Sequence, residues 1–112
     1  MKALFIILND LNSYDEVLQA LVKLEVRGAT ILESEGMAKA LLKSEGLNIL
    51  LEGLMSTDKT KDIGSSKTIF TVVRVEKVDE ITKEIDNILS KSDAKIKGFL
   101  FTLPVSRVHS FK

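Results

Sequence analysis

Cysteine is absent from the 112 residues. Disulfides, thiolate nucleophiles and cysteine-ligated metals are therefore excluded, and the chain suits a reducing, cytoplasmic compartment. Histidine occurs once, as His109, near the C-terminal end. A Ser-His-acid triad would have to draw its base from that tail residue, no G-x-S-x-G elbow accompanies it, and a histidine metal site has no companions. The expectation is no catalytic residue, no metal ligand and no enzyme. Neither sign of charge is in excess: 16 Lys and Arg stand against 16 Asp and Glu, which removes the general electrostatic case for nucleic acid or an anionic membrane. No apolar run approaches the roughly 18–20 residues of a membrane span, so direct membrane insertion is not expected. Met1–Leu8 has an apolar run shorter than the roughly 7–15 residues of a signal peptide, and Asn9-Asp10 follow without a small-residue cleavage site. It reads as a buried strand.

What is present is a globular composition, 45% hydrophobic and 29% charged, sized for a single domain over residues 1–112. Ala3–Leu8 is a continuous apolar run that fits a central strand covered on both faces. Ser13 and Glu16 form a capping box that predicts a helix from about Tyr14, with Val17, Leu18, Leu21 and Leu24 on one face and Gln19, Lys23 and Glu25 on the other. Gly28 is expected to supply a turn into a second strand, Ala29–Ser34, in which Thr30 and Leu32 face one way and Ala29, Ile31 and Glu33 the other. Thr68–Val75 is rich in β-branched residues and reads as a third strand. Val78, Ile81, Ile85, Ile88 and Leu89 recur at helical spacing from Glu76 to about Ser90. Gly98–Leu103 is a fourth strand ended by Pro104, and Val105–Lys112 is a tail suited to pairing at a sheet edge.

Strand, helix, strand therefore occurs twice. Two such units predict an α+β, ferredoxin-like domain: an antiparallel sheet with both helices on one face, and a long loop between strands 2 and 3. The helix-free face would hold half the side chains of the apolar strands, more apolar surface than a monomer exposes, so sheet-to-sheet self-association is expected.

The inserted loop spans residues 37–66. Met37–Lys43 has the composition of two helical turns, and Gly46 would end them. Leu47–Met55 is strongly apolar, and Ser56–Ser66 is built of Thr, Asp, Lys, Ser and Gly. A connection this long is commonly a lid or binding loop. Leu47, Ile49, Leu50, Leu51, Leu54 and Met55 are its candidate partner-binding residues, and packing on the domain or on a neighbouring subunit is the other role open to them. Gly64-Ser65-Ser66-Lys67-Thr68 lacks the glycine that a P-loop places before its lysine, and it precedes a strand instead of a helix. Lys91–Gly98 carries three lysines against one aspartate; it is either a solvated connection or a phosphate-holding loop.

Three stretches carry a family likeness. They are Lys2-Ala3-Leu4-Phe5-Ile6-Ile7 with Asp15–Leu21; Val26-Arg27-Gly28-Ala29-Thr30-Ile31 through Glu33 to Gly36-Met37; and Phe99–Val108, with its Leu103-Pro104-Val105 ending. On these the chain resembles the PII-like family, the nitrogen regulatory protein PII superfamily of small trimeric signalling proteins. The resemblance implies a cytoplasmic homotrimer joined sheet to sheet. It also implies inter-subunit clefts for an adenine nucleotide or related effector, and a T-loop (here residues 37–66) that engages a target protein, a transporter or metabolic enzyme. The ligand positions it implies are Ile7, Thr30, Gly36, Met37, Lys97, Gly98 and the tail residue Lys112. This sequence departs from the family pattern where phosphates are held. Lys95-Ile96-Lys97 replaces a run of glycines, Phe99 replaces a lysine, and His109-Ser110-Phe111-Lys112 stands where two arginines are expected. Contacts worth about 1.5–3 kcal/mol each are thereby weakened or lost, so a smaller or different effector, or none, stays open beside ATP. Two alternatives remain: a protein-interaction module without a small-molecule ligand, and a CutA-like metal-binding trimer.

Overall fold

The computed structural model describes residues 1–42 and 65–112. In chain order the elements are β1 (Lys2–Leu8), α1 (Tyr14–Lys23), β2 (Thr30–Glu35), α2 (Met37–Leu42), β3 (Ser65–Val73), α3 (Val75–Leu89) and β4 (Gly98–Pro104). The strands lie in the order β2-β3-β1-β4, and every neighbouring pair is antiparallel. This is the ferredoxin-like arrangement that the repeated strand-helix-strand pattern predicts.

Alternation along β1 decides which face is which. Leu4, Ile6 and Leu8 are buried against Val17 and Leu21 of α1, Ile69 and Val73 of β3, and Ile81 and Ile85 of α3. Each such side chain contributes roughly 1.5–3 kcal/mol on burial. Leu18, Leu24, Val78, Ile88 and Leu89 pack against the rim of this cluster, so both helices present the faces that their periodicity predicts.

Three local expectations are corrected. Ser13 makes no side-chain cap to α1; its hydroxyl donates to Asp10 Oδ2 at 2.7 Å instead. Donation to the buried carboxylate fixes the direction of that hydroxyl, and its oxygen accepts no N–H from the first turn of α1. The residue with left-handed backbone at the end of α1 is Glu25 (φ 63°), not Gly28. A Cβ on Gly28 would meet nothing within 4 Å, so the turn does not require glycine there. The tail does not extend the sheet: Val105 donates its N–H to Met1 O at 3.1 Å, and residues 106–112 adopt no strand.

β3 is also displaced relative to the sequence reading. It begins at Ser65 and ends at Val73, because Ser65 and Ser66 pair with Glu35 and Ser34 while Arg74 already serves as the extended N-cap of α3. The insertion gives up two residues to the sheet, and its first six form α2. Gly46 and the candidate partner residues Leu47, Ile49, Leu50, Leu51, Leu54 and Met55 lie outside the described residues.

No phenylalanine enters the core. Four of the five sit on strands, at positions out of phase with the core residues. Phe70, Phe5 and Phe101 occupy one row across β3, β1 and β4, with ring centroids 5.6 Å and 4.8 Å apart and nearly parallel planes. Phe99 stacks on Phe101 at 6.1 Å. Leu32, Val72 and Leu103 extend the same helix-free face and are 52%, 41% and 49% exposed.

Candidate functional site

The sheet has two distinct ends. At one, β1 finishes at Leu8 opposite Lys67 and Gly98, and β2 finishes at Glu35 opposite Ser65. The chain leaves for the long insertion here and returns here, so the candidate residues Ile7, Gly36, Met37, Lys97 and Gly98 gather at this end.

Gly98 is demanded by this geometry. Its φ is +141°, and a Cβ would lie 2.3 Å from Ile7 O and 3.2 Å from Leu8 Cα. Strand β4 therefore starts in direct contact with the end of β1 only because this residue has no side chain. The preceding carbonyl, of Lys97, accepts the N–H groups of Asn9 and Asp10 at 2.9 and 3.0 Å. Asp10 completes the clamp. Its buried carboxylate accepts the Ser92 hydroxyl at 2.5 Å, the Ser13 hydroxyl at 2.7 Å and the Asn12 N–H at 3.3 Å. The Ser92 hydroxyl first, then that of Ser13, hold the Asp10 pKa below its usual value; burial opposes them, and the Asn12 N–H and the Lys97 charge assist. The loop 91–97 is thus fixed at both of its ends to Asn9 and Asp10, the residues that follow β1.

Beside Ile7 the helix-free face turns polar. Ile7 pairs with Thr68, whose hydroxyl donates to Ser34 Oγ at 2.8 Å, and Ser34 Oγ lies 2.6 Å from Ser66 Oγ. On the other side Ile7 pairs with Phe99, which is 60% exposed. Lys39 of α2 reaches back to Ser65 Oγ at 2.7 Å. On the helix side, Lys67 pairs with Glu33 at 3.1 Å and lies 5.0 Å from the centre of the Tyr14 ring. The mouth of the insertion is therefore a shelf with an apolar and aromatic floor, hydroxyls along one edge and lysines at the margin.

The structure brings together five of the seven sequence-predicted ligand residues. Thr30 is on the same face but one row away, opposite Phe70. Lys112 ends the tail, and among the described residues no hydrogen bond or ion pair joins it to the others. Sequence reasoning missed Asp10, Ser92, Ser34, Ser66 and Thr68. The signal for the last three was available: they are short hydroxyl residues that fall on one face once β3 is started at Ser65. Nothing in the one-dimensional pattern joins Asp10 to a serine 82 residues later.

The described residues of this shelf hold no activated nucleophile and no imidazole. His109 is in the tail, edge-on to Phe111 at 4.9 Å. Among the described residues no cluster of three or more His, Cys, Asp or Glu is arranged to hold a metal ion, and no helix is long and apolar enough to cross a membrane.

A long insertion after the second strand, and a shelf where that insertion departs, distinguish this chain within the class of small ferredoxin-like domains. The family model "Nitrogen regulatory protein P-II" matches residues 1–112, and the chain belongs to that family. A solved structure, "Crystal Structure of Arabidopsis thaliana PII bound to citrate", has the same fold, with a TM-score of 0.62 over 94% of this chain and 77% of that one at 19% identity. No curated protein matches the sequence. Proteins of this family are non-catalytic regulators, typically trimeric; they bind adenine nucleotides and act on target enzymes or transporters. The present chain is a PII-family regulatory protein with a T-loop-like insertion.

Proposed function

We propose that the protein is a cytoplasmic homotrimeric sensor acting as one domain. In this reading a small effector with a planar ring binds where the insertion departs, in a cleft completed by a neighbouring subunit. The insertion then carries the signal to a target protein. The observation that carries this reading is the shelf at Ile7. Phe99 offers a stacking surface where the family pattern has a lysine, and the half-buried Ser34 and Thr68 hydroxyls, bonded to each other beside the buried Ser66, offer neutral hydrogen-bond partners. Such a surface suits a ring and a ribose better than a triphosphate. In this reading Ile7, Gly36, Met37, Lys97 and Gly98 line the shelf, Thr30 and Lys112 complete the set of ligand positions, and Leu47–Met55 of the insertion supply the apolar contact with the target.

Thermal-shift titration with ATP, AMP, cyclic AMP and bicarbonate tests this reading. Saturable stabilisation by an adenine compound, stronger for the monophosphate or cyclic nucleotide than for ATP and lost in Phe99→Ser, is the expected result. No shift with any of the four would contradict it and would favour a protein-interaction module without an effector.

A further inference from the structure

The other end of the sheet carries a feature that the proposed function does not use. A cavity of about 530 Å³ opens where α1 ends, α3 begins and β3 finishes, within the size range of small-molecule sites. Arg27, Arg74 and Lys77 line it, with Glu25 as the one carboxylate, and Val26 and Val73 form an apolar wall. Thr71 donates its hydroxyl to Gly28 O at 2.5 Å, and Lys77 Nζ donates to Leu24 O at 2.5 Å. These two bonds tie the segment 24–28 to β3 and α3, so the cavity walls are fixed to the core. Among the described residues the Arg27 and Arg74 guanidinium groups make no hydrogen bond or ion pair. Lys77 retains two of its three N–H donors.

Two free arginines and a lysine against a single carboxylate leave two positive charges in a chain whose total is zero. A phosphate monoester carries close to two negative charges at neutral pH, and guanidinium groups pair with it through two N–H donors each. We propose that this cavity is a second small-molecule site, for a compound with a phosphate monoester on a small apolar body. The arginines bind the phosphate and the valines cover the body. The site is separate from the shelf at Ile7: Lys2 pairs with Val73 at this end, and Leu8 pairs with Gly98 at the other. The cavity is walled chiefly by helix ends and core-side residues, with Val72 at the border of the aromatic face.

Phenyl phosphate is the probe. In ¹H–¹⁵N NMR titration it is expected to shift amides of residues 25–28 and 71–77 saturably, with affinity at least tenfold above that of inorganic phosphate. The double variant Arg27→Gln, Arg74→Gln replaces two exposed side chains, and a fold preserved by its own spectrum makes the comparison valid. Tenfold or greater weakening in that variant, with unchanged shifts around Ile7 and Gly98, supports the site. No saturable shift at millimolar probe, equal affinity in the double variant, or shifts centred on Ile7 and Gly98 would overturn it. Those outcomes are independent of the nucleotide titration.

Discussion

Gly98 and Asp10 are the two residues on which the mouth of the insertion depends most directly. An alanine at Gly98 would place a methyl 2.3 Å from the Ile7 carbonyl oxygen in a backbone conformation hostile to side chains, and we expect a loss of about 2–3 kcal/mol in chemical denaturation. Asp10 acts by charge. Its pKa is lowered in the folded protein, so its stabilising contribution is complete above the ordinary aspartate range and disappears as pH falls through the depressed folded value. Asp10→Asn should therefore cost about 1–3 kcal/mol at pH 7. The gap between variant and parent should close on acidification below the usual aspartate pKa; a gap independent of pH would show that the carboxylate charge is not the clamp. Neither role is written in the residue's own neighbourhood: Asp10 meets Ser92 across 82 positions, and Gly98 is needed because of a carbonyl on β1.

The elements were legible in proportion to how local their causes are. The helices followed from apolar spacing, and the structure places Val17, Leu21, Ile81 and Ile85 in the core as that spacing requires. Their bounds followed to within about a residue, Tyr14 for the start of α1 and Val75–Leu89 for α3, but the contacts that close their ends did not. Ser13 turns from the helix to a buried carboxylate, and the chain reverses through Glu25 although a glycine stands three residues further on. Left-handed backbone at a non-glycine residue is strained, so Glu25→Gly should stabilise the fold by about 0.5–1 kcal/mol, read as a higher midpoint with unchanged slope in urea. The start of β3 was hidden for another reason. Ser65 and Ser66 have little intrinsic preference for a strand, and pairing with β2 places them there. That same misplacement concealed the hydroxyl cluster beside Ile7, since Ser66 counted as loop.

At the scale of the molecule, topology and layer order followed from the repeated strand-helix-strand pattern. The distribution of aromatic residues required the sheet register. Among the described residues the buried core is aliphatic, whereas Phe5, Phe70 and Phe101 form a stacked row, extended by Phe99, on the face without helices. Aromatic rings bury roughly 150–250 Å² each when covered, and a water-exposed row of this kind is costly. This face therefore suits contacts between copies of the chain, which in the proposed function also complete the cleft at Ile7. Phe101→Lys should break the assembly while leaving the aliphatic core and the far-UV circular dichroism unchanged, since Phe101 is 39% exposed in the single chain. The most direct test of the central claim is the mass of the unmodified protein at micromolar concentration by sedimentation equilibrium. Three times the 12.4 kDa chain mass is expected, falling to the chain mass in Phe101→Lys. A parent protein that sediments at the chain mass would contradict it.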